Sequence, residues 1–231
     1  MLDNKIPENK ILEIYEDRNF IDSQLVELPD NLGIIVDMQY PKLGMENAIN
    51  KCLMRKEVLD LLIEAKKKLP KELTFKIWDA YRPLSLQTKL YYKYKDMIID
   101  EFNLSELSEE KQNEVIKNYV SLPKSDSEIP PLHTTGGALD LTLTNSITGE
   151  DLDMGIGFDA FSDLTNTAAF ETNGMDENIR KNRRILYNAM TSVGFTNLPS
   201  EVWHYDYGDR AWAFYNKKPA IYRGILEYKE N

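Results

Sequence analysis

The chain has 231 residues, 42% of them hydrophobic, with no repeat or low-complexity linker to divide it, so residues 1–231 read as a single domain with one sizeable core. A formal net charge of −10 excludes a nucleic-acid partner, whose phosphates demand clustered Lys and Arg. No run of eighteen apolar residues offers a membrane span, and the opening MLDNKIPENKILEIYEDRNF lacks the apolar centre of a signal peptide, so a cytoplasmic protein with no membrane partner is expected. The lone Cys52 has no partner for an intramolecular disulfide, which fits that setting.

In chain order, GIIVDMQ (33–39) predicts a strand. KCLMRKEVLDLLIEAKKKL (51–69) sets Met54, Val58, Leu61, Leu62, Ala65 and Leu69 at helical spacing, with Pro70 as the stop. Cys52 falls inside this pattern and reads as a packed thiol rather than a nucleophile. Lys66, Lys67 and Lys68 read as the exposed end of the helix. LTFKIWDAY (73–81) alternates like a half-buried strand, closed by Pro83. Residues 84–102 and 105–121 are expected to be helical. ALDLTLT (138–144) has a clear period of two, with Leu139, Leu141 and Leu143 on one face and Asp140, Thr142 and Thr144 on the other. NSITGE reads as a hairpin turn and DLDMG as a short return strand. Residues 177–193 predict a second helix with Ile179, Leu186, Met190 and Val193 inward and Gly194 as a cap. VWHYDY and WAFYN complete the strands. The order predicts an α+β fold, a mixed or antiparallel central sheet flanked by helices.

The chain holds only two histidines, His133 and His204, and both lie in short segments dense with Gly, Trp and carboxylates. A catalytic zinc takes three protein ligands and keeps one position for water. With Cys52 isolated, the economical set is both histidines and one carboxylate. Asp140 is the best candidate, on the polar face of its strand, with Gly136 and Gly137 folding the chain tightly between it and His133. The plain alternative is a solvated strand Asp beside an ordinary turn. Glu201 precedes His204 by three residues. The two share a side only if EVWH forms a helical turn, bulge or loop, and a Glu so placed acts as general base on a metal-activated water. Otherwise it is a surface Glu before a buried Trp. Arg82, just after a strand, suits stabilisation of an oxyanion, or a salt bridge to Asp79.

Taken together, DAYRP, HTTGGALDLTL, MGIGFDAF and EVWHY resemble the zinc D-alanyl-D-alanine dipeptidases of the vancomycin-resistance type. That family lies within a wider group of D,D-carboxypeptidases and cell-wall endopeptidases marked by S-x-H-x-x-G-x-A-x-D and E-x-W-H. The likeness runs from about Ile35 to about Tyr207, and ENIRKNRRIL is similar to the dipeptidase helix between the motifs. It implies one zinc per chain, in a cleft, held by His133, Asp140 and His204. It implies Glu201 as base, Arg82 as the transition-state arginine, and Asp159 beside the ammonium of a small dipeptide substrate, in a function tied to cell-wall peptides or antibiotic resistance. Three positions depart from the pattern: Pro131 replaces a serine, Thr135 a basic residue and Val202 a tryptophan. Proline supplies neither hydroxyl nor N–H, so a contact to substrate changes there. The rival readings are a carboxypeptidase or endopeptidase for longer peptides, and a non-catalytic zinc-bearing binding module.

Overall fold

The computed structural model describes residues 3–229 except residues 11, 14 and 118. Its regular elements run β1 (Leu25–Glu27), β2 (Ile35–Val36), α1 (Gln39–Lys42), β3 (Leu53–Arg55), α2 (Lys56–Lys66), β4 (Leu73–Asp79) and α3 (Leu84–Glu101). They continue with α4 (Glu109–Ile116), β5 (Ala138–Asn145), α5 (Glu177–Thr191), β6 (Thr196–Asn197), β7 (His204–Asp206) and α6 (Arg210–Asn216).

A five-stranded sheet in the order β2-β4-β5-β7-β6 forms the centre, and β1 pairs with β3 in a separate ribbon. Only β2–β4 is parallel; the other pairings in the sheet are antiparallel, so the α+β expectation with a mixed sheet holds. The period-two reading of 138–144 is realised in β5. Leu139, Leu141 and Leu143 are buried in one cluster with Phe75 and Ile77 of β4, Val58 and Leu62 of α2, and Leu186 and Met190 of α5. That shared apolar face is the main source of stability, because burial contributes about 25 cal/mol per Å². A second cluster joins Tyr40 of α1 to Leu90, Tyr94 and Ile98 of α3 and Ile116 of α4. Among the described residues no helix is long and apolar enough to cross a membrane.

Four local expectations are corrected. Residues 51–69 are not one helix: Leu53–Arg55 is a fully buried strand on β1, and the helix begins only at Lys56. A short apolar run does not tell strand from helix by periodicity, and pairing decided it. The 105–121 stretch is helical only over α4; residue 118 within it lies outside the described residues. DLDMG makes a single bridge, Thr144 to Asp151, rather than a strand. WAFYN is helical, part of α6, because Asp209 caps the helix by accepting from the backbone N–H groups of Ala211 and Trp212.

Candidate metal centre

The site lies where β4, β5 and β7 run side by side. A register shift between Ile77 and Asp79 sets Asp79 opposite Asp140, and Asp140 in turn pairs with His204. Asp140 and His204 are therefore direct cross-strand neighbours. His133 reaches them from a 3-10 turn over His133–Thr135, just before β5. Gly136 follows at φ +74°, a left-handed conformation that a side chain disfavours, and a Cβ on Gly137 would lie 2.4 Å from the Tyr207 carbonyl oxygen. Arg55 braces this turn, its Nε–H donating to the Thr135 carbonyl at 2.7 Å. The segment after Tyr222 covers it: Ile225 N–H donates to the Thr134 carbonyl at 2.9 Å, and Tyr81 Oη–H donates to the Ile225 carbonyl at 2.8 Å.

His133 Nε2 lies 3.2 Å from His204 Nδ1 and 3.3 Å from Asp140 Oδ2, and His204 Nδ1 lies 3.0 Å from Asp140 Oδ1. Asp140 meets the two rings with different oxygens, and one donor atom from each residue lies within 4.8 Å of the others; two imidazoles and a carboxylate so gathered are the donor set that zinc takes. Among the described residues this is the one group of His, Cys, Asp or Glu placed to hold a metal.

Both ring orientations are set from behind. His133 Nδ1–H donates to the Ala80 carbonyl at 2.8 Å, which turns the Nε2 lone pair to the site. His204 Nε2–H donates to Asp206 Oδ1 at 2.8 Å, which turns Nδ1 the same way. Asp206 is fully buried, and behind it burial and the Asp206 charge push the Asp209 carboxyl well above its ordinary range. Burial opposes the Asp140 charge, yet His133 and His204 hold that carboxyl well below the usual carboxylate range.

The EVWH segment turns, with His204 N–H donating to the Glu201 carbonyl at 3.2 Å. Glu201 Oε2 thereby comes to 3.8 Å from His204 Nδ1 and accepts from Trp203 Nε1–H at 3.1 Å. Burial pushes the Glu201 carboxyl up to about 7; His204 opposes this, and the Asp140 and Asp159 charges add to it. Arg82 is buried, and its salt bridge to Asp79 forms. Its Nε–H and Nη2–H donate to Asp79 Oδ2 at 2.9 and 2.7 Å, and Nη2 lies 3.8 Å from Asp140 Oδ2. Asp159, at φ +52°, accepts from Tyr40 Oη–H at 2.8 Å and from Tyr94 Oη–H, both on Oδ2. Burial lifts it to about 6, against the Tyr94 hydrogen bond and Arg82.

All six residues singled out from sequence are thus gathered in one region: His133, Asp140, His204 and Glu201 at the centre, with Arg82 and Asp159 linked through Tyr40, whose hydroxyl also accepts from Arg82 Nη2–H at 3.2 Å. Asp79, Tyr40, Tyr94, Trp203 and Asp206 were not singled out for the site, apart from Asp79 as a possible partner of Arg82. For Asp206 a signal existed, since residues i and i+2 of a strand share a face. Tyr40 and Tyr94 had none, lying 119 and 65 residues from Asp159.

Two imidazoles and a carboxylate converge with an acid and a guanidinium in reach, which is the equipment of a metal-dependent hydrolase. The family model for D-Ala-D-Ala dipeptidases, Peptidase_M15, matches residues 42–222, and the chain belongs to that family. It is 28% identical over 166 residues to a D-alanyl-D-alanine dipeptidase of Synechocystis sp., covering 66% of this chain and 67% of that protein. It is 32% identical over 133 residues to one from Enterococcus faecium, covering 56% of this chain and 59% of the relative. A crystal structure of a mutant vancomycin-resistance D,D-pentapeptidase, VanY, in complex with Zn(II) is a distant likeness at TM-score 0.39 and 13% identity, covering 84% of this chain and 91% of that one. Family and donor chemistry together make zinc the cofactor.

Proposed function

We propose that the chain is a zinc-dependent dipeptidase that hydrolyses D-alanyl-D-alanine, with His133, Asp140 and His204 holding the ion. The observation that carries this reading is the convergence of His133, His204 and Asp140, which meet pairwise at 3.0–3.3 Å through the two ring nitrogens and both Asp140 oxygens, with the Glu201 carboxylate 3.8 Å from His204 Nδ1. The family's dipeptidase relatives support the substrate. When bound, zinc supplies Lewis acidity at the scissile carbonyl and lowers the pKa of water.

Glu201 takes the proton of the attacking water and passes it to the nitrogen of the leaving amine. Trp203 Nε1–H holds Oε2, so the carboxylate needs little reorientation and Oε1 carries the proton. Arg82 offsets the negative charge that grows on the carbonyl oxygen. Asp79 aims the guanidinium, and Gln87 Oε1 accepts from Nη1–H at 2.7 Å. Asp159 receives the substrate ammonium. Both tyrosine hydroxyls use its Oδ2, which leaves Oδ1 for the charge-assisted bond. A substrate acylated at that nitrogen would bring no charge to Asp159, so the pocket selects free dipeptides over longer peptides. We also read the whole chain as one domain, supported by a core cluster that draws on residues from Leu28 to Tyr222.

The test is release of free D-alanine by the zinc-loaded protein, offered D-Ala-D-Ala and, separately, a longer peptide ending in D-Ala-D-Ala. Cleavage of the dipeptide alone is expected. Cleavage of the longer peptide at a similar rate would convert the reading to a D,D-carboxypeptidase and remove Asp159 from its ammonium role. No release from either, with zinc bound, would overturn the substrate.

A further inference from the structure

The ENIRKNRRIL segment of α5 takes no part in the chemistry above, yet it carries a fully buried arginine with no carboxylate among its hydrogen-bond partners. Arg183 is 0% exposed. Its Nε–H donates to the Met154 carbonyl at 2.8 Å, Nη2–H to the Leu164 carbonyl at 2.7 Å, and Nη1–H to the carbonyls of Asn166 at 2.8 Å and Thr167 at 3.4 Å. The guanidinium lies over the Phe170 ring at 4.4 Å. Burial pulls its pKa down to about 10, a measure of how far it sits from water.

Those four carbonyls belong to the two ends of one loop. Between them the chain leaves the sheet, passes Asp159 at its middle and returns. Among the described residues a turn at Phe158 and Asp159 is the one piece of regular backbone in 156–161, so side-chain contacts do much of the work of placing this stretch. Phe158 packs on Tyr40 and Trp78, and Phe161 packs on Tyr94. Asn182, one residue before Arg183, adds a bond from Nδ2–H to the Asp153 carbonyl at 2.9 Å. A buried guanidinium is a costly way to fill a core position, and an apolar side chain would bury as much surface. Its planar fork does what an apolar group cannot: it ties carbonyls ten and more residues apart to one rigid helix.

We propose that Arg183 is a positioning residue for substrate binding: by gathering the two ends of the 154–167 loop onto α5 it fixes where Asp159 presents its carboxylate. This rests on the reading of Asp159 as the ammonium partner. Arg183 touches neither the metal ligands nor Glu201, so its effect falls on capture of substrate rather than on the chemical step.

The experiment is a kinetic cycle on zinc-loaded enzyme with D-Ala-D-Ala, using Arg183→Lys, Asp159→Asn and the double variant. Lysine keeps the charge but reaches fewer of the four carbonyls. Arg183→Lys is expected to raise KM about tenfold, with kcat within about threefold of wild type. In the Asp159→Asn background the same change should leave KM where Asp159→Asn alone put it, since both act through one contact. A KM rise that multiplies fully in the double variant, or a fall in kcat at constant KM, overturns the proposal. Limited chymotrypsin digestion supplies a readout independent of Asp159. Wild type should resist cleavage at Phe158 and Phe161 while Arg183→Lys is cut there first. If Asp159→Asn leaves KM unchanged but digestion behaves as expected, the ammonium reading has failed and the clamp stands. If wild type is itself cut there rapidly, the clamp has failed; that measurement needs no variant and holds even where Arg183→Lys does not fold.

Discussion

The two halves of the site are built by different means. The half proposed to bind metal sits mostly on the sheet: Asp79, Asp140 and His204 form one row across three strands, His133 joins them from a hydrogen-bonded turn, and each histidine has its spare nitrogen tied. The Asp159 half sits on an irregular loop held by side chains that arrive from α1, α3 and α5. Sheet register places atoms to a few tenths of an ångström without help, whereas a loop must be pinned from outside. On the proposed reading the ligands need that precision, because the ion sets the distances between them, whereas an ammonium tolerates more.

This contrast is open to attack, starting where the effect is largest. Glu201→Gln should keep zinc and lower kcat by about 10³. Metal analysis alongside steady-state rates checks this, and a variant with near-normal turnover would remove Glu201 as base. Asp206→Asn should weaken zinc about 10–100-fold, since it loosens the ring orientation of His204. Competition with a chromophoric chelator reads that directly, and unchanged affinity would mean that strand register alone orients the ligand.

A smaller effect concerns pH. The Asp159 carboxyl is raised to about 6 in the fold, above the ordinary value near 3.9 of an unfolded chain. The folded state therefore binds the proton more tightly. The stabilisation is complete below about pH 4 and is lost as pH rises through 6. Asp159→Asn should accordingly raise stability by about 3 kcal/mol at pH 8 and by almost nothing at pH 4. Urea titration at the two pH values checks the sign; an equal gain at both would mean that charge is not the cause. Smallest of all, Tyr94→Phe removes one of two donors to Asp159 and should raise KM about threefold with kcat unchanged.

The same contrast sets how much was legible beforehand. The period of two in ALDLTLT placed Asp140 on its face, and the spacing in EVWH demanded the turn that the chain makes. Both are local patterns, and they carry the metal half. Tyr40, Tyr94 and Arg183 meet the Asp159 loop only after folding, and their spacing along the chain holds no trace of it. The local errors have local causes. Leu53-Met54-Arg55 is compatible with strand and helix alike, and only its pairing with β1 decides between them. For α6 the signal was present but outweighed: Asp209 is a strong helix cap, while the aromatic run after it favours a strand.

The covering of His133 by the segment after Tyr222 joins the proposed metal site to residues far along the chain. Ile225 holds the turn through the carbonyl of Thr134, and Leu226 accepts from the backbone N–H of Leu84 at the start of α3. The last support of His133 therefore comes from a segment about ninety residues further along the chain. A chain cut before Ile225 would keep all three proposed ligands and still lose this support, which makes truncation there a probe of backbone bracing separate from ligand chemistry.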